Sequence, residues 1–406
     1  MSKAKDYQVL ARRFRPRTFG EVVGQDVILH SLESALSSQR LPHAFLFAGS
    51  RGVGKTTLAR ILARCLNCEQ GVSKDPCGTC TPCRTILDGS NSDVVEIDAA
   101  SHNLVDDIRE LRERVGFASM GSRYKVYILD EVHMLTRSAF NAFLKTLEEP
   151  PPKVAFVLAT TELHKVPDTI RSRCQVLLFQ RVGEADIRRR LSAICDHESI
   201  DVPDAVLAEI ARSCRGGMRD AETILERVLP VAAERGDQFG LEEYYQLTHR
   251  TGLDGVVAVV ADMLQGDAAA ALHFVTVAVD SGLDEREALG EVLEVLRALL
   301  LIKVDGPETG LVQLQGELRN KLNQLAEGCD TTRLDAMVHA GLLGRERIRR
   351  LEDRRLVLEV TLLRMVEAGR LPQLAQLIEQ LGVQPTATPG AAPAPTPAPT
   401  PAPTPA

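Results

Sequence analysis

Short apolar runs alternate with helical periodicity through the first part of the chain. The runs are Ala44–Phe47, Val94–Ile97, Val126–Leu129, Val154–Leu158 and Val176–Phe179. Each has the length of a buried strand, and apolar positions at helical spacing lie between them. That alternation predicts an α/β domain with a mostly parallel sheet over residues 1–182. From about residue 183 the strand pattern stops. Helical periodicity continues to about 381, for example with Leu356, Val360 and Leu363 on one face. A break near Arg250-Thr251-Gly252 divides this stretch into a small helical unit, 183–250, and a larger one, 251–381. The remainder, 382–406, repeats Pro-Thr-Pro-Ala. Such a composition buries no core and predicts a disordered, extended linker. The repeat stops in mid-unit, so the expectation is either a longer product or a truncated form.

Composition changes this picture in three ways. A length of 406 residues exceeds one ordinary core and agrees with several domains. A net charge of −7, with 4% aromatics and no Trp, argues against a global basic field or a base-stacking surface. Any DNA contact must therefore come from a local basic patch or one completed by other subunits. Met1–Asp6 is followed by no apolar run, and the longest apolar stretch, Val292–Ile302, is interrupted by Glu294 and Arg297. No secretory signal or membrane span is expected, and the location expected is cytoplasmic.

The first chemical motif is Gly49-Ser50-Arg51-Gly52-Val53-Gly54-Lys55-Thr56, followed by Thr57. It fits a phosphate-binding loop, and its context is a buried strand before it and a helix (about 55–66) after it. The glycines let backbone N–H groups turn toward phosphates. Lys55 is expected to reach the β- and γ-phosphates of ATP, and Thr56 to hold Mg²⁺. A second motif, Lys125 to Glu131, is a buried strand ending in two carboxylates. Asp130 is placed to support Mg²⁺ and Glu131 to polarise an attacking water. A chance glycine turn and a solvated acidic strand end are the plainer alternatives; the pairing of the two motifs argues against both.

Four of the nine cysteines cluster. Cys68, Cys77, Cys80 and Cys83 have the spacing C-x₈-C-x₂-C-x₂-C, within a loop-rich insertion over about 66–88. Four thiolates can close a tetrahedral structural Zn²⁺ site with no open position. An iron–sulfur cluster is the rival, disfavoured because nothing else in the chain points to redox work. The other five, Cys65, Cys174, Cys195, Cys214 and Cys329, are spread out and read as small buried hydrophobes.

Further residues carry a family resemblance. Tyr7 to Arg12, Arg15-Pro16, Val22 to Gln25, Asp130 to Leu135, Leu144 to Pro151 and Ser172-Arg173-Cys174 resemble clamp-loader ATPases of the AAA+ superfamily. With the four-cysteine insertion, the chain resembles the gamma/tau family of bacterial DNA polymerase III. The likeness is strong over residues 5 to about 220 and weaker beyond, where Leu358 to Arg364 is still similar. The resemblance implies an AAA+ nucleotide-binding domain, a helical lid and an all-α collar. It implies an arginine finger at Arg173 acting in trans, a second sensor at Arg219, and a first sensor at Thr161 or its neighbour Thr160. Leu10–Arg13 and Val22–Gln25 would border the adenine. The implied partners are delta and delta-prime type subunits in a pentameric ring, a sliding clamp and primed-template DNA, with a polymerase core and helicase if a longer form exists.

Alone, Arg173 reads as a surface arginine and Arg219 as a helix-face charge; the Ser-Arg-Cys frame favours the functional roles. One departure concerns DNA. After Asp98-Ala99-Ala100-Ser101, relatives tend to carry basic residues, whereas this chain has His102-Asn103-Leu104, with Lys145 and Arg109 remaining. Two other functions fit parts of the pattern. A helicase or branch-migration motor would need a DNA-reading module that the sequence lacks. A non-catalytic delta-prime type scaffold would typically lack the phosphate loop that is present here.

Overall fold

Five strands form one parallel sheet: β1 (Ala44–Ala48), β2 (Val94–Asp98), β3 (Lys125–Asp130), β4 (Val154–Thr160) and β5 (Gln175–Leu178). Their order is β2-β3-β4-β1-β5, and every pairing is parallel. The structure is a computed structural model. It describes residues 8–368 apart from 39, 102–107, 109, 112, 114, 117–118, 249–251 and 313–316. Tyr7, His102-Asn103-Leu104, Arg109, Arg250-Thr251 and the 382–406 segment therefore lie outside the described residues.

The sheet explains why its strands are nearly continuous apolar runs. Every residue of β1 and β4 is buried, because helices cover both faces of a parallel sheet. Successive side chains point to opposite faces. Phe45 and Phe47 enter one core with Leu58, Leu62 and Val157, while Ala44 and Leu46 enter the other with Tyr127, Phe140 and Phe156. β5 stops one residue short of the expected Phe179. There the chain turns in: the Phe179 amide donates to the Ala48 carbonyl at 2.7 Å, and its ring packs on Phe47.

The helix Lys55–Asn67 leaves the C-terminal end of β1 through the glycine loop. Its core-facing residues include Leu58, Ile61, Leu62 and Leu66. The apolar side chains of Glu184–Glu198, Asp204–Ser213 and Met218–Arg235 form a separate cluster around Ile187, Leu191, Ile210, Leu225 and Tyr244. Leu10 and Val182 join that cluster from the N-terminal segment and the end of the sheet domain.

The chain divides into two compact units, one ending at Leu247 and one beginning at Thr248. The described part of the second is helical and has its own core. Its helices Thr331–Arg350 and Arg354–Ala368 pack through Gly344, where a Cβ would lie 2.2 Å from the Thr361 side chain. The apolar face read from Leu356 and Val360 is an exposed one. The buried face of that helix is instead Leu358, Leu362 and Met365. Both stripes have helical spacing, and the face that meets the close approach at Gly344 is the one that carries Thr361. Among the described residues, no helix is long and apolar enough to cross a membrane.

Candidate nucleotide site and cysteine cluster

The glycine loop, the end of β3 and the start of Met218–Arg235 enclose a cavity of about 500 Å³. Its backbone calls for glycine, as Gly54 and Gly49 show. Gly54 has φ +100° at the start of the helix, a left-handed conformation that side chains resist. At Gly49 a Cβ would lie 2.6 Å from the Phe179 carbonyl oxygen, so no larger residue fits.

Arg51, Gly52, Val53, Gly54, Lys55, Thr56 and Thr57 line the cavity together with Asp130 and Glu131. The buried Lys55 donates from Nζ to the Gly49 and Ser50 carbonyls, each at 2.8 Å. Burial lowers its affinity for the proton, and Glu131 and Asp130 oppose that effect. Thr56 donates from its hydroxyl to Asp130 Oδ2 at 2.7 Å. The other Asp130 oxygen accepts from the Glu131 amide at 2.9 Å. A hydroxyl and a carboxylate are thus in contact beside a lysine, a donor set that suits a hard cation on phosphates.

Glu131 adopts a left-handed backbone, φ 49°, a conformation that non-glycine residues keep only where surroundings hold it. Its carboxylate accepts from the Thr161 amide at 3.2 Å and hydroxyl at 3.0 Å. Of the two sensor candidates, Thr161 is therefore the one that touches Glu131. Thr160 is fully buried and bonds His133 Nδ1 at 3.2 Å. His133 also lies 3.3 Å from Glu131 and, through Nε2, 3.1 Å from Glu162. The sequence reading included this histidine in Asp130 to Leu135 but gave it no role, since only the fold sets it between two carboxylates.

Arg219 lines the cavity at the first turn of its helix, where its amide donates to the Gly52 carbonyl at 3.3 Å. Arg173 does not line it. Its guanidinium donates to the Thr169 carbonyl at 2.7 Å and to Glu148 at 2.6 Å. Lys145 is exposed on the helix Arg137–Glu148. Of the residues expected to border an adenine, Ala11, Val22 and Val23 line the cavity, joined by Val182 and Met218.

Further charged residues that the sequence did not single out for this site also line it, among them Arg15, Arg190 and Glu222. Glu222 is buried, with Arg190 Nε 3.8 Å away. Burial pushes its carboxyl up to about 7, against the pull of Arg190 and Arg15. Arg190 also donates to the Phe14 carbonyl.

At the far end of Lys55–Asn67, the sulfurs of Cys68, Cys77, Cys80 and Cys83 lie within 4.8 Å of one another. Four sulfurs bound to one zinc ion are about 3.8 Å apart, so they are close enough to share an ion. Backbone amides already point at them: Cys77 N–H donates to Cys68 Sγ at 3.3 Å and Cys80 N–H to Cys77 Sγ at 3.4 Å. Such bonds favour thiolates: those from Cys80 and Thr79 bring the Cys77 thiol down to about 6, while burial pushes the Cys83 thiol up to about 12. Arg64 lies beneath, buried, donating to the Arg17 carbonyl at 2.6 Å.

Two family models match the chain: DNA polymerase III, delta subunit, over residues 24–183, and DNA polymerase III subunits gamma and tau domain III, over 252–381. The DNA polymerase III subunit gamma of Buchnera aphidicola is 35% identical over 368 residues, covering 89% of this chain and 99% of that protein. The chain belongs to the gamma/tau family of DNA polymerase III subunits. The tau subunit of Escherichia coli is 38% identical, covering 88% of this chain and 55% of that protein. The tau subunit of Bacillus subtilis is 42% identical, covering 73% and 52%. The chain thus spans about half the length of these tau relatives. Among solved structures, the RuvB Holliday junction branch migration motor of Thermotoga maritima aligns at TM-score 0.45 and 20% identity, covering 81% of this chain and 90% of that one, a distant likeness. Within the gamma/tau family frame, the phosphate loop and the Asp130-Glu131 strand end were the legible part of the site. Arg190 and Glu222 were not, since each is placed by packing between segments distant in sequence, and Arg15 and His133 lay in quoted motifs without a role at this site.

Proposed function

We propose that this chain is an ATP-hydrolysing motor subunit of a DNA polymerase III clamp loader. In this reading it couples nucleotide binding and hydrolysis to the loading of a sliding clamp onto primed DNA. The observation that carries it is the gathering of Lys55, Thr56, Asp130, Glu131 and Arg219 around one cavity, in a chain of the gamma/tau family.

Lys55 exchanges its two carbonyl partners for phosphate oxygens when ATP enters, a change of acceptor that needs little movement of the loop. Thr56 and Asp130 would hold Mg²⁺, which when bound neutralises charge on the phosphates. Glu131 polarises the attacking water as a general base. Thr161, bonded to that carboxylate, serves as the first sensor in this reading. Arg219 reaches in from the helical lid, so the lid registers the nucleotide. Arg173, outside its own cavity, serves the ATP of a neighbouring subunit in trans. The division into an AAA+ domain (1–182), a lid (183–250) and a collar (251–381) belongs to the same reading. Exposed Leu342, Leu343, Leu356 and Val360 in the collar offer apolar surface to neighbouring delta and delta-prime type subunits of a pentameric ring. The four cysteines hold a structural Zn²⁺.

Two variants test this together. Lys55→Ala removes the cation paired with the transferring phosphate and is expected to abolish ATP turnover and most nucleotide affinity. Arg173→Ala is expected to bind ATP normally, yet lose the hydrolysis stimulated by clamp and primed DNA in the assembled complex. Fingers of this kind contribute roughly 10³ to 10⁵ in rate, with a smaller factor expected in a gated motor. A strong difference between dilute wild-type monomer and dilute Arg173→Ala monomer would show action in cis and sink the ring assignment.

A further inference from the structure

Glu222 is the outlier of the cavity. Its side chain is 6% exposed and 3.8 Å from Arg190 Nε, too far for a hydrogen bond. Among the described residues it makes no side-chain hydrogen bond, and Arg190 already gives its Nη2 to the Phe14 carbonyl. A buried carboxylate without donors is costly, so such groups in folded proteins point to a missing partner. Glu222 lines the cavity, so that partner belongs to what the cavity holds.

We propose that Glu222 is a specificity-determining residue that accepts a hydrogen bond from the exocyclic amine of a bound adenine base. This rests on the nucleotide-site reading given above. Phosphates cannot be the partner, because they are anions and acceptors. The nucleoside half supplies the only donors, an exocyclic amine and ribose hydroxyls. The surroundings select the amine. Met218 and Glu222 stand one helical turn apart on one face of Met218–Arg235, and both line the cavity. Ala11, Val22, Val23 and Val182 line it as well, an apolar wall suited to the faces of a planar base, with the carboxylate at its edge. Ionised, Glu222 accepts from the amine of adenine and repels the carbonyl oxygen that hypoxanthine or guanine carries there. Raising of its carboxyl toward neutrality by burial fits a group awaiting a donor.

The test is equilibrium titration of the full chain with ATP, inosine triphosphate and 2′-deoxy-ATP, for wild type, Glu222→Ala and Glu222→Gln. Wild type is expected to prefer ATP over inosine triphosphate by about 10- to 100-fold, the range of a hydrogen bond to a charged group. It is expected to bind 2′-deoxy-ATP as it binds ATP. In Glu222→Ala the ATP-to-inosine ratio should fall toward one. Glu222→Gln keeps an amide oxygen and the side-chain volume, so it should hold an intermediate ratio. If Glu222→Ala binds no triphosphate, the glutamine variant decides alone. An unchanged ratio in the variants overturns the proposal. So does a preference for ATP over 2′-deoxy-ATP that the variants abolish, since the contact would then be to ribose. Wild type that binds none of the three would instead sink the nucleotide-site reading itself.

Discussion

One helix, Lys55–Asn67, connects two sites of opposite character. At its N-terminal end the charged groups hold partners they can give up. Lys55 rests on two loop carbonyls and Glu131 on Thr161. At its C-terminal end, Cys68 begins a cluster whose sulfurs are fixed by local turns and backbone amides. The difference follows from what each end must do. A site that binds and releases a polyanion needs interactions of similar strength with and without it. A structural metal site would need one deep minimum; backbone N–H groups favour the thiolate at Cys77, while burial pushes the Cys83 thiol up to about 12.

The largest expected effect lies at the cysteine end. The purified chain is expected to carry about one zinc per molecule, because one four-thiolate shell binds one ion. Structural zinc can contribute on the order of 10 kcal/mol to a small unit. Cys77→Ser is therefore expected to lose the metal and melt the 66–88 insertion locally, as read by amide exchange, while ATP affinity stays within a few-fold. Should ATP affinity collapse with the metal, the two ends would be coupled rather than contrasted. Iron and labile sulfide in elemental analysis would replace the zinc assignment.

Next in size is the carboxylate proposed as general base. Glu131→Gln is expected to bind ATP with near wild-type affinity and to slow turnover by about 10²- to 10⁴-fold, the usual contribution of a general base. Pre-steady-state hydrolysis alongside nucleotide titration separates the two. Unchanged turnover would remove Glu131 from the reaction and leave it a structural partner of Thr161 and His133.

The smallest effect is on stability and depends on pH. Glu222 has its carboxyl raised by burial from 4.5 to about 7. The folded chain therefore holds a proton that the unfolded chain has released between those values. Stability is greatest below about 4.5, declines as pH rises through about 7, and stays at the lower level above. Arg190 and Arg15 are the charged groups facing it. Glu222→Gln removes the ionisation at constant shape. It should raise stability at pH 8 by up to about 3 kcal/mol and change little near pH 4.5. Denaturant melts at the two pH values measure this, and a gain equal at both would show that charge is not the cause.

The legibility of this molecule followed sequence distance. Gly49 to Thr56 and Lys125 to Glu131 each carry their chemistry in a contiguous segment with its own strand or helix, so spacing alone exposed them. The same holds for Cys77, Cys80 and Cys83. Arg190 and Glu222 have no such frame, and His133, though beside Glu131 in sequence, takes its second carboxylate from Glu162. The neighbours of Arg190 are Phe14 and Glu222, and those of Glu222 are Arg190 and Arg15, all brought from other segments. The helix Arg354–Ala368 gives the same lesson in packing. Its sequence carries two apolar stripes, and the one read first, through Leu356 and Val360, faces outward.

The sequence by itself determined the parallel α/β domain and the helical region after it, because strand and helix periods are local properties of the chain. It also exposed the glycine loop, the paired carboxylates and the four-cysteine spacing, whose backbone turns are encoded within a few residues. Only the tertiary structure decided which apolar stripe is core, which threonine touches Glu131, and that Arg173 rests on Glu148 outside its own cavity. It alone brought a buried carboxylate, Glu222, to the cavity wall. Those outcomes depend on desolvation and on charges meeting across long stretches of chain, and neither is a property of any local segment.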